Sequence, residues 1–74
     1  MAQMLDQTMV HVRFDGRSWT VPAAALNVSA LSGDAEVKHA VAAYLEIAPA
    51  RLDLYVVERY ETGNITVRPE AVFG

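Results

Sequence analysis

The sequence predicts an α+β domain of element order ββαββ, a four-stranded sheet with one helix packed on one face. Three observations predict it. MVHVRF and SWTVP alternate apolar and polar residues on either side of Asp15-Gly16, the strongest short hairpin signal there is. DAEVKHAVAAYLEI repeats its apolar residues at a helical period. LDLYVVERY and ITVR then return to alternation around the turn Thr62-Gly63-Asn64.

Each element follows from its own residues. Residues 1–8 are polar and unpatterned and read as a loose terminus; 9–74 read as one domain. In the first strand Val10, Val12 and Phe14 share a face, with His11 and Arg13 opposite. In the second, Trp19 and Val21 oppose Ser18 and Thr20, and Pro22, which has no N–H to donate, marks a strand end or an edge. AAALNVSALSG carries the chain off the sheet, and Ser32 and Asp34 are candidate N-caps for the helix. The helix stripe is Val37, Ala40, Val41, Tyr44 and Leu45, and Asp34 and Lys38 are spaced for an ion pair. Pro49 ends the helix by about Ala48. Alternation in the third strand groups Leu52, Leu54 and Val56 on one face and Tyr55, Val57 and Arg59 on the other. In the fourth, Ile65 and Val67 oppose Thr66 and Arg68, and Pro69 stops the strand. The expected core is therefore Val10, Val12, Phe14, Trp19, Val21, Leu54, Val56, Ile65 and Val67 against the helix stripe.

Composition limits the function. Seventy-four residues, 53% of them hydrophobic, make one small folded domain. Such a domain has only about 3–5 kcal/mol of net stability, a margin that self-association or docking to a partner increases. The chain has no cysteine, which removes disulfides, thiol chemistry and cysteine-ligated metals. The net charge of −3 argues against nucleic-acid binding driven by bulk charge. MAQMLDQT is not a signal peptide and no apolar run is long enough to span a membrane, so a cytoplasmic location is expected.

One stretch carries a resemblance. In EVKHAVAAYLEIAPARLDLYVV a helix with Lys38 in its first turns runs to Ile47, a loop with Pro49 follows, and alternating hydrophobes Leu54 through Val57 come next. This resembles the middle segment of the ubiquitin-like β-grasp superfamily, and the likeness extends from about Val10 to Val67. The resemblance implies a mixed sheet of order 2-1-4-3 with strands 1 and 4 central and parallel. Where ubiquitin makes a long excursion between its last strands, this chain has a tight hairpin.

The face away from the helix is the expected functional surface. On the alternation above it carries His11, Arg13, Thr20, Tyr55, Val57, Arg59, Thr66 and Arg68. Tyr55 falls near the position where, by the resemblance, ubiquitin-like domains present their binding hydrophobe. Tyr55 and Val57 would supply buried area, and Arg13, Arg59 and Arg68 would orient an acidic protein partner. No nucleophile–base arrangement, phosphate loop or carboxylate pair stands out, so no enzymatic activity and no cofactor are expected. His11 and His39 lie on different elements without carboxylates at ligand spacing, so no metal site is expected. Glu58 shares the parity of Leu54 and Val56 yet is charged, which places it at the sheet rim or on a bulge. An alternative rests on the end of the chain. Gly74 suits a ubiquitin-like or sulfur carrier whose carboxylate is activated, although Phe73 stands where such carriers have a second glycine. A small subunit of a larger enzyme complex is a further alternative.

Overall fold

Asp15 and Gly16 both take positive φ, 55° and 75°. That backbone matches the twist of the strands it joins, and glycine adopts it at little cost. The computed structural model of the protein describes residues 8–70. Two strands flank the turn, β1 (Met9–Phe14) and β2 (Arg17–Pro22), paired antiparallel from Met9↔Pro22 to Phe14↔Arg17. A 3-10 turn, Ala23–Leu26, leaves the sheet and buries Ala23 and Leu26; Asn27 ends it in the left-handed region. Helix α1 (Asp34–Leu45) crosses one face, and β3 (Tyr55–Arg59) and β4 (Ile65–Pro69) complete the sheet.

The strand order is β2-β1-β4-β3, with β1 and β4 parallel and the outer pairs antiparallel. This is the order and the direction of pairing that the β-grasp resemblance implies, in a four-stranded mixed sheet with one helix. Val10, Val12, Val21, Ile65 and Val67 project toward α1 and are buried with Val37, Val41 and Ala42. Phe14, Trp19, Ala40, Leu45 and Ile47 pack around them, half-buried. Tyr44, expected in the helix stripe, is 49% exposed, and Ala42 takes the buried position instead.

The helix ends earlier than Pro49 requires. Glu46 enters the left-handed region at φ 60°, its N–H bonds the Ala43 carbonyl at 3.2 Å, and the Ile47 N–H bonds the Ala42 carbonyl at 2.9 Å. These two bonds make a Schellman closure, with a glutamate where glycine is usual. At the other end the N-cap is Gly33, with no side-chain cap. Ser32, a candidate cap, instead accepts the Ser29 N–H through its hydroxyl at 2.9 Å. Asp34 lies inside the helix and pairs with Arg59, not with Lys38. Lys38 donates to the Asp53 carbonyl at 3.3 Å.

The largest departure from expectation lies between α1 and β3. Pro49 opens a second 3-10 turn, Pro49–Leu52, and the strand begins only at Tyr55. Proline's fixed φ suits the first position of such a turn. Leu52 is fully buried from this turn, whereas Leu54, two residues on, is 77% exposed. The run Leu52-Leu54-Val56 looks like one strand face, but Leu52 is not in the strand and says nothing about its parity. Leu54 and Val56 are consequently not core residues. Tyr55 and Val57 pack against the core in their place.

Candidate functional site

The register of β3 decides which residues the open face holds. Tyr55↔Pro69, Val57↔Val67 and Arg59↔Ile65 are partners, and directly paired residues share a face. Val67 and Ile65 face the helix, so Tyr55, Val57 and Arg59 do as well. The Tyr55 ring lies 5.9 Å from that of Phe14, centroid to centroid, and the Arg51 guanidinium sits 5.1 Å from the Phe14 centroid. Arg59 reaches across to the Asp34 carboxylate and the Ser32 carbonyl at the start of α1. The expected placement of Tyr55, Val57 and Arg59 on the open face is therefore corrected. Of the five residues singled out from the sequence, Arg13 and Arg68 lie on that face.

The open face holds three rows that run across the four strands. One is Ser18, Arg13, Arg68 and Val56, with Arg13 beside Arg68 by continuation of the parallel register. The next is Thr20, His11, Thr66 and Glu58. Tyr60, beyond the end of β3, closes the third row beside Asn64, whose side-chain oxygen accepts the Met9 N–H at 3.1 Å. His11 Nδ1 lies 3.1 Å from the Thr20 hydroxyl.

Glu58 is the fixed point of this surface. Arg68 grips it with two bonds, Nε to Oε1 at 3.0 Å and Nη2 to Oε2 at 2.8 Å. The Tyr60 hydroxyl donates to the same carboxylate at 3.1 Å. The Arg68 bonds, and then the Tyr60 bond, hold the Glu58 carboxyl below the usual carboxylate range. The same pairing pushes the Arg68 guanidinium up. Such a fork fixes the arginine plane as well as its charge. Glu58 thus lies at the rim of the sheet, in the edge strand β3, but on no bulge, since it occupies a regular ladder position opposite Thr66.

Arg13 is different: it is exposed and makes no ion pair among the described residues. Beside it, across Arg68, stands half-buried Val56, with exposed Leu54 just before β3 and, beyond Glu58, Tyr60, which is 50% exposed. Leu54, Val56, Glu58 and Tyr60 were not assigned to this face from the sequence. The signal that finds them is the charge of Glu58. A carboxylate on the supposed core face, with an arginine available on the next strand, argues for the opposite parity. Val72, Phe73 and Gly74 lie outside the described residues, as do residues 1–7 of the terminus expected to be loose.

Among the described residues no group of three His, Cys, Asp or Glu side chains is placed to hold a metal ion, and no helix is long and apolar enough to cross a membrane. Comparison of the chain with family models, with curated proteins and with solved structures finds no match.

Proposed function

We propose that this protein is a ubiquitin-like β-grasp domain that works without catalysis, by binding a protein partner through the open face of its sheet. The strand order β2-β1-β4-β3, the parallel central pair and the helix over one face support the β-grasp reading. The observation that carries the functional reading is Arg13, an exposed cation with no ion pair among the described residues, across Arg68 from half-buried Val56 on a face the helix leaves uncovered. Arg68 does not compete for a partner's carboxylate, because Glu58 already neutralises it. Its role is to stiffen the platform between Arg13 and Val56. The partner that fits offers an acidic side chain to Arg13 and an apolar one to Val56. Apolar contact gives affinity and the charge fixes register.

The test is a photo-crosslinking residue placed at Ser18, exposed on the open face next to Arg13, compared with the same residue at exposed His39 on the helix. The expected result is an adduct with another protein from position 18 that disappears with Arg13→Glu and is absent from position 39. Adducts equal from both positions, or unaffected by Arg13→Glu, would sink the proposal.

A further inference from the structure

The sheet has two edges, and they are not alike. On β2 the two-residue turn makes Phe14↔Arg17 a hydrogen-bonded pair, so alternation turns the backbone groups of Ser18, Thr20 and Pro22 outward. Pro22 has no N–H, which blunts that edge. On β3, the Tyr60 N–H bonds the Asn64 carbonyl at 3.0 Å and the Glu70 N–H bonds the Leu54 carbonyl at 3.3 Å. These bonds place Leu54, Val56, Glu58 and Tyr60 on the side that bonds β4. The N–H and C=O groups of Tyr55, Val57 and Arg59 therefore point to the outer edge of β3, which no other strand pairs among the described residues. That edge has no proline, lysine or bulge to protect it.

We propose that a second copy of this chain pairs with β3 along this edge, antiparallel, with the two-fold axis at Val57. The sequence of the edge is self-complementary about that residue. Val57 meets Val57 of the second copy, and Tyr55 meets Arg59, so all three outward residues find partners and each pair exchanges two main-chain bonds. On the open face Leu54 and Tyr60 stand equally far from Val57 on either side, so each meets the other across the axis. These are two of the four exposed large hydrophobic residues among the described ones. Neighbouring registers are poorer. An axis at Glu58 sets the two Glu58 carboxylates against each other, and an axis at Val56 leaves Arg59 unpaired; the axis at Val57 sets Val56 against Glu58, which its own Arg68 already neutralises. An isologous contact of this kind closes on itself and does not propagate into a fibre. A strand-edge contact is small, well below the ~1,200 Å² of a standard stable interface, so the association is weak and best read by trapping.

The register makes the trap specific. Leu54 and Tyr60 of the second copy form a non-hydrogen-bonded pair, whose Cα atoms are about 4.5 Å apart, within disulfide range. Leu54 and its own symmetry mate are separated by six residues of strand, about 20 Å. The chain has no cysteine of its own. Leu54→Cys and Tyr60→Cys variants, each altered at an exposed position, are mixed in equal amounts in a glutathione redox buffer. The expected result is a mixed disulfide forming at least ten-fold faster than either homodisulfide. Equal rates, or no mixed disulfide while both variants keep the native circular dichroism, overturn the proposal. Adding Arg13→Glu leaves the trap intact, so its outcome is independent of the partner-binding reading.

Discussion

Leu52 and Leu54 are two residues apart, and simple alternation makes them equivalent. The structure makes them opposite, and substituting each with alanine measures the difference. Leu52 is fully buried in the turn after Pro49, which packs against α1. Removing a buried leucine side chain costs about 2–5 kcal/mol, transfer and cavity together. A domain of this size has about 3–5 kcal/mol in total. Taking about 3 from about 4 leaves roughly 1 kcal/mol, so on the order of one molecule in six of Leu52→Ala is unfolded at 25 °C. The melting temperature falls by more than about 10 °C, at about 4–8 °C per kcal/mol for a small domain. Leu54→Ala, at an exposed position, changes stability by no more than about 0.5 kcal/mol. Urea unfolding followed by circular dichroism and by Trp19 fluorescence reads both. Equal losses in the two variants would refute the separation of Leu52 from the strand.

Three further outcomes are expected. Glu46→Gly relieves a side chain held at φ 60° in the helix closure and raises stability by about 0.5–1 kcal/mol in chemical denaturation, where a loss contradicts the left-handed cap. The carboxyl of Glu58 is lowered by its bonds to Arg68 and Tyr60, so its contribution is present above the ordinary carboxylate value and lost as pH falls through the lower folded-state value. Wild type then loses stability on acidification more steeply than Glu58→Gln, and parallel pH profiles show that the fork does not form. Arg59→Ala breaks a largely solvent-exposed pair with Asp34, costs no more than about 1 kcal/mol, and the cost shrinks in high salt; a salt-independent loss contradicts an ion pair.

Much of the architecture was legible in local chemistry. Asp15-Gly16 announces the first hairpin, and the alternation of Val10, Val12, Ile65 and Val67 gives the buried face of β1 and β4, whose central place the β-grasp resemblance implies. The face of β3 was misread because Leu52 carried the alternation backward past the true start of the strand. A short 3-10 turn has no period of its own to reveal it, and Pro49 signals an interruption without saying where regularity resumes. The end of α1 was misplaced for a related reason. Glu46 in a left-handed conformation has no composition cue, since glycine or asparagine is the usual marker. The candidate site inherited the strand error. Arg13 and Arg68 were found because they sit on the two strands whose parity was secure, whereas Tyr55, Val57 and Arg59 were assigned to the wrong side. Glu58, the residue that fits the alternation of Leu54 and Val56 least, is the one whose pairing with Arg68 organises the surface.

The parity of β3 underlies both the contact face and the register of the free edge, and proton–proton Overhauser contacts measure it directly. The account predicts cross-peaks between the Tyr55 and Phe14 rings and between the Val57 methyls and the core beneath α1, with the Val56 methyls showing contacts to Arg68 instead. Contacts from the Val56 methyls to Val37 or Val41 of α1, with Tyr55 free of Phe14, would contradict it.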